Sequence, residues 1–189
     1  MQDIYEKYYW QNDKVRLRAV RPEDDSYAEK LDSEAWAMAS QEMTLPPVKK
    51  ERAAISEKEI DSETIQDGNR LFFSVENLEG DYIGHIQLVD INERHGTFEL
   101  GISIWRNYRN KGYAKAAVKI LLEYAFNEKR LNKCSVDCID CNNASISLWK
   151  SLGFQQEGIV REEFFFNGAF HDRLLFGLTA NEYNLKRTK

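Results

Sequence analysis

Polar and apolar residues alternate along residues 14–20 (Lys-Val-Arg-Leu-Arg-Ala-Val), the two-residue period of a half-buried strand. Arg21-Pro22 breaks that period, and Glu23, Asp24 and Asp25 supply acids suited to a helix start. From there to Asp67 the chain is helical in composition, interrupted at Leu45-Pro46-Pro47, so two helices are expected. Residues 70–76, 82–90 and 97–105 then read as three strands. The turn Asn77-Leu-Glu-Gly-Asp81 joins the first two, and such short links predict an antiparallel meander.

The period next changes to that of a helix over 113–127. Lys115, Lys119, Glu123 and Asn127 form a polar stripe, and Ala114, Ala117, Val118, Leu121, Leu122 and Ala125 form the face to be buried. Lys129 and Arg130 follow where cations favour the helix dipole. Residues 133–139 read as a fifth strand. Asn142 or Asn143 can cap a helix running to Leu152, which Gly153 stops. Residues 154–166 and 169–178 are strands joined by Asn167-Gly168, a strong hairpin signal. The order is strand, two helices, three strands, helix, strand, helix, two strands.

Composition adds bounds. With 189 residues, 42% hydrophobic and 30% charged, the chain is read as one soluble α/β (α+β) domain spanning 1–189, with 1–13 as an N-terminal extension. No apolar run reaches the roughly 20 residues that cross a bilayer, so no membrane partner is expected. Cys134, Cys138 and Cys141 are an odd number with no zinc-knuckle spacing; they read as reduced thiols, some in the core, in a cytoplasmic protein. Between Glu23 and Asp67 there are 13 acids and 5 bases, a balance of −8 against −5 for the whole chain. Nucleic acid is therefore an unsuitable partner, and a cationic ligand suits the segment better.

One stretch carries chemistry. Arg109-Asn-Lys-Gly-Tyr-Ala114 lies between the strand ending at Trp105 and the helix starting at Tyr113. A Gly-bearing turn that opens a helix after a strand gathers free N–H groups and the positive end of the helix dipole. Here Arg109 and Lys111 add charge, and the combination suits a pyrophosphate.

These residues resemble the GCN5-related N-acetyltransferase (GNAT) superfamily over roughly residues 13–184. Arg109-x-x-Gly112-x-Ala114 is similar to its acetyl-CoA pyrophosphate motif. Asn142-Asn-Ala-Ser145-Ile-Ser-Leu-Trp149-Lys-Ser-Leu-Gly153-Phe154 is similar to its second conserved segment. Glu157-Gly-Ile-Val-Arg161-Glu and Asn167-Gly-Ala-Phe-His-Asp172 resemble the branch of spermidine and ribosomal-protein acetyltransferases. The resemblance implies a mixed, mostly antiparallel sheet of about seven strands, splayed between the fourth and fifth and flanked by about four helices. It also implies acetyl-CoA as cosubstrate, with no metal expected. The pantetheine arm would pair with the backbone of Ile102, Ser103 and Ile104, with Gly101 permitting a bulge or close approach. The pyrophosphate would lie on Arg109, Asn110, Lys111, Gly112, Tyr113 and Ala114, and Asn142 would hydrogen-bond the arm from the other side.

Acetyl transfer needs a neutral amine, a polarised thioester carbonyl and a stabilised thiolate. Glu99, on the same side of its strand as Gly101 and Ser103, is the candidate base; its alternative is a structural ion pair. Trp149 stands where the resemblance places a proton-donating tyrosine. Its indole N–H can bond the sulfur or packed cofactor but cannot act as a general acid. The options for the thiolate's proton are then water, Tyr113 or no general acid at all; Tyr113 itself reads chiefly as a packing residue. His85, His95 and His171 read as ordinary polar positions outside any Ser/His/Asp or metal-ligand spacing. Of Phe164, Phe165 and Phe166, one strand face is expected in the core and the other in the acceptor pocket or a subunit contact.

Three functions are compatible with this reading. The first is direct acetylation, in a ternary complex, of a small cationic amine such as a polyamine, with the acidic 23–67 segment as acceptor wall. The second is acetylation of a protein N-terminus. The third is a non-catalytic acyl-CoA-binding module. A homo-oligomer is compatible with each.

Overall fold

A computed structural model describes residues 8–24 and 69–187. Of the acidic segment 23–67 only Glu23 and Asp24 are described: residues 22–24 begin a helix, and Asp24 is buried in an ion pair with Arg18 instead of facing an acceptor. The rest of the two expected helices and of the expected acceptor wall lies outside the described residues.

The alternating segments pair as their period requires. β1 (Val15–Arg18), β2 (Leu71–Asn77), β3 (Tyr82–Asn92) and β4 (Thr97–Ile104) form an antiparallel series. β5 (Lys133–Ile139) joins β4 in parallel, and β6 (Gln155–Phe166) and β7 (Ala169–Thr179) form the hairpin turning at Asn167-Gly168. Both turn residues have positive φ, 49° and 81°, as a tight right-twisted hairpin needs. The seven-stranded sheet has the order β1-β2-β3-β4-β5-β7-β6. Because β5 and β7 pair antiparallel, the β4–β5 junction is the sheet's one parallel pairing among the described strands.

Register makes the two faces differ. Val15 and Leu17, Val75, Ile86 and Leu88, Phe98 and Leu100, Cys134 and Val136, and Phe176 and Leu178 are buried on one face. α1 (Tyr113–Glu123) covers it with Ala116, Ala117, Val118, Ile120, Leu121 and Leu122. α2 (Asn143–Leu152) adds Trp149. Fully burying such side chains, at about 1.5–3 kcal/mol for each large one, is what holds sheet and helices together. Gly112 (φ 82°) and Gly153 (φ 101°) stand in the left-handed conformation before α1 and after α2, ending each element where sequence placed it. The opposite face carries His85, Gln87 and Val89 beside Ser103, Gly101 and Glu99, a more polar surface.

Two features differ from the sequence reading, and a third decides between alternatives it offered. The helix expected over 113–127 becomes π-helical at Tyr124–Glu128. The wider turn lets Tyr124 meet Trp10 while Phe126 meets Phe98 and Tyr183. A further helix, α3 (Ala180–Arg187), follows β7. Thr179 and Glu182 cap it reciprocally: Thr179 donates N–H and Oγ1 to the Glu182 carboxylate (2.8 Å each), and Glu182 N–H returns a bond to Thr179 Oγ1 at 3.3 Å. The Thr-x-x-Glu spacing was the available signal. Finally, the pairing of β3 with β4 runs in continuous register past Gly101; its irregularity lies between Val89 and Asn92. Gly101 serves close approach instead, since a Cβ there would meet the Gln87 side-chain amide at 3.0 Å.

Candidate active site

β4 and β5 pair only at Thr97–Lys133, Phe98–Cys134 and Glu99–Ser135. Beyond this vertex each strand is held on its outer side: β4 by β3 as far as Ile104–Gly84, and β5 by β7 as far as Ile139–Arg173. The inner edges from Leu100 and from Val136 therefore diverge. Open strand edges present unpaired N–H and C=O groups, which an extended arm with its own amides satisfies like an added strand. β4 is kept in place by a contact with no room for a side chain, as a Cβ on Gly84 would collide with the Ser103 carbonyl. Ser103 and Ile104 are buried and Ile102 is half-buried along this edge.

The chain leaves β4 through a 3-10 turn at Arg106–Tyr108 and enters the loop before α1. Asn110 (φ 63°) and Gly112 (φ 82°) both adopt the left-handed conformation. Among the described residues none accepts a hydrogen bond from the N–H groups of Asn110, Lys111, Gly112, Tyr113 or Ala114. Five open donors at a helix N-terminus fit an anionic diphosphate. Arg109 turns back to donate Nε to the Ile104 carbonyl at 2.9 Å, fastening the loop to the end of β4. Lys111 Nζ sits 5.5 Å from the Tyr108 ring centroid. Tyr113 and Ala114 are half-buried at the start of α1, packed on the core.

Two residues that sequence reading passed over brace this loop. Lys14 donates Nζ to the Lys111 carbonyl at 3.1 Å, and Asn12 donates Nδ2 to the Ala116 carbonyl at 2.9 Å. Separations of 97 and 104 residues left no local signal for either.

Across the gap, Asn142 accepts the Ser145 N–H on Oδ1 at 3.1 Å and so caps α2. Its Nδ2 donors have no partner among the described residues. Trp149 is buried in α2 against Phe154, and its indole N–H has no acceptor among the described residues. An orphaned buried donor fits a bound group.

Glu99 marks the vertex on the polar face. It is exposed and makes no ion pair among the described residues. Partial desolvation, then the charges of Asp90 and Asp137, raise its pKa above the usual carboxylate value, with Arg173 opposing.

The histidines divide. His85 stacks on Phe72 at 5.2 Å and meets Trp105 edge-on at 5.5 Å; burial pushes its pKa down to about 4. His171, expected outside any such grouping, stands with Asp140 and Cys141 close enough for a three-ligand cluster. Pairing of β7 with β5 creates this cluster, which sequence spacing hides. Its Asp140 already receives His171 Nδ1 at 2.7 Å and the Asp172 N–H at 3.1 Å, which ties the hairpin to the β5–α2 turn. Cys134 and Cys138 are buried free thiols, and Cys141 is an exposed one. Phe165 and Phe170 are exposed and pack on each other, with ring centroids 5.1 Å apart.

A splayed parallel strand pair, with an amide-lined loop opening the next helix, defines an acyl-CoA-dependent transferase. A family profile described as Acetyltransferase (GNAT) domain matches residues 14–155. The chain belongs to this family, and is an N-acetyltransferase that takes its acetyl group from acetyl-CoA. It is 30% identical over 177 residues to an SPbeta prophage-derived uncharacterized N-acetyltransferase of Bacillus subtilis, covering 94% of this chain and 96% of the relative. It is also 30% identical over 169 residues to spermidine N(1)-acetyltransferase of Escherichia coli, covering 89% and 88%. Among solved structures, spermidine N-acetyltransferase from Vibrio cholerae in complex with CoA and spermine superposes with a TM-score of 0.79 at 25% identity, covering 92% of this chain and 99% of that one. Among the described residues no helix is long and apolar enough to cross a membrane.

Proposed function

We propose that the acetyl acceptor is a small cationic amine of the polyamine type, and that Glu99 is the base that prepares it for direct attack. The placement of Glu99 carries this reading: an unpaired carboxylate with a raised pKa at the strand vertex, in the field of Asp90 and Asp137. The spermidine N(1)-acetyltransferase relative and the acidic composition of residues 23–67 support the same substrate class.

The chemistry follows from charge. An alkyl amine has a pKa of about 10 and arrives protonated. Acidic side chains attract the cation, and Glu99, directly or through one water, takes a proton to free the lone pair. A raised pKa makes it a better acceptor of that proton than an ordinary carboxylate. The nitrogen attacks the thioester carbonyl carbon. A backbone N–H of β4 stabilises the oxygen, the C–N bond forms and the C–S bond breaks, and the second proton that the nitrogen then loses passes through water to the CoA thiolate. Trp149 donates its indole N–H to the departing sulfur, stabilising charge without giving up a proton. Asn142, with its cap made by Oδ1, offers Nδ2 to the pantetheine arm, and the 110–114 amides take the diphosphate.

The test is release of CoA thiol from acetyl-CoA with a panel of polyamines, amino acids, aminoglycosides and N-terminal peptides. Turnover concentrated on di- and polyamines supports the assignment. Turnover confined to peptides replaces it with protein N-terminal acetylation.

A further inference from the structure

We propose that Lys14 is a positioning residue for acetyl-CoA, holding the 111–112 peptide plane so that the Gly112 N–H faces the cofactor's diphosphate. The proposal rests on placing that diphosphate at residues 110–114. In a trans peptide the C=O and the following N–H point in opposite directions. Lys14 Nζ binds the Lys111 carbonyl at 3.1 Å, so the Gly112 N–H of the same plane is turned to the side away from Lys14. That N–H has no partner among the described residues.

The loop needs such a hold because its own backbone is permissive there. Gly112, at φ 82°, lacks the side chain that would limit rotation. A Cβ on it would also come within 3.3 Å of Lys14 Nζ, so glycine and lysine occupy one fitted space. Lys14 is itself well anchored. Its N–H and that of Val15 each donate to Asn12 Oδ1 at 3.0 Å, and the Asn12 Nδ2 reaches the first turn of α1. Val15, the next residue, is fully buried in β1. The β1 entry thus grips the loop and the start of α1 together, and a free segment of the chain could not.

Lys14→Met keeps the aliphatic stem and removes the ammonium. A charge-assisted hydrogen bond of ordinary strength corresponds to an affinity loss of about tenfold. We expect Lys14→Met to weaken CoA binding by about that factor, read by calorimetry, and to raise the KM for acetyl-CoA equally. The kcat and the amine KM should stay within about twofold, and Lys14→Arg should recover most of the loss. S-acetylpantetheine, which lacks the diphosphate, should be used equally well by wild type and Lys14→Met. The deficit should persist at about 0.5 M salt, where exposed charges are screened within a few ångströms.

Unchanged CoA affinity in Lys14→Met overturns the proposal. So does an equal loss with S-acetylpantetheine, which would make Lys14 a general structural support. A deficit that vanishes at high salt overturns it too, reducing Lys14 to a distant charge. Gly112→Val separates the two layers. If it weakens CoA binding and Lys14→Met does not, the role of Lys14 alone falls. If neither does, the diphosphate does not lie on this loop, and the inference falls with that placement.

Discussion

Glu99 and Ser135 are the last residues at which β4 and β5 lie side by side. The carboxylate at this vertex is exposed and without an ion pair among the described residues, so its charge is available to a ligand. Replacing Glu99 with Gln should lower kcat/KM for a polyamine by about 10²-fold, the scale of general-base catalysis. The wild-type acid limb should lie above the usual carboxylate range and disappear in the variant. A pH–rate profile of Glu99→Gln parallel to wild type would remove Glu99 as base.

Trp149 offers a separable test because its N–H and its ring do different work. Trp149→Phe deletes a buried donor without an acceptor among the described residues and empties the space of the second ring, so stability should fall by about 1–3 kcal/mol. The kcat should still fall about three- to tenfold if that N–H supports the departing sulfur. Equal kcat values, measured where both proteins are fully folded, would leave Trp149 a packing residue only.

Gly84 and the Ser103 carbonyl are in contact where β3 supports the open edge of β4. Gly84→Ala forces a methyl group into that contact and should cost about 1–3 kcal/mol by overpacking. Because Ser103 lies on the edge proposed to pair with pantetheine, the KM for acetyl-CoA should rise as well. Chemical denaturation and initial rates check the two parts, and an unaltered midpoint would show that the strand yields without cost.

His85 makes stability depend on acid. Its folded pKa of about 4 lies below the 6.5 of a free imidazole. Between those values the unfolded chain holds a proton that the folded protein does not. Stability is thus fully present above about pH 6.5 and is lost as pH falls toward 4, by on the order of 3 kcal/mol in total. His85→Phe should flatten the curve in this window. Urea unfolding at pH 7 and 4.5 tests it, and parallel curves for wild type and variant would show that other groups set the slope.

Much of the candidate site's framework was legible because local rules place it. Gly112 and the helix period after it locate the loop of open amides, and Asn142 marks the start of α2. The Thr179-x-x-Glu182 box was equally readable but lay past the last apolar alternation, so α3 went unassigned. By contrast, nothing near Lys14 or Asn12 in sequence indicates a loop about a hundred residues away.

The sequence by itself determined the seven strands, α1, α2 and the glycines that punctuate them, because hydrophobic period and backbone freedom act over a few residues. Its motifs also determined the family and the cosubstrate. Only tertiary structure decided how far β4 and β5 stay paired, which charges surround Glu99, that Asp140 meets His171, and that Lys14, just ahead of β1, braces the 110–114 loop. Those relationships arise from pairing and packing between distant segments, where desolvation and the local field are set by whatever the fold brings together.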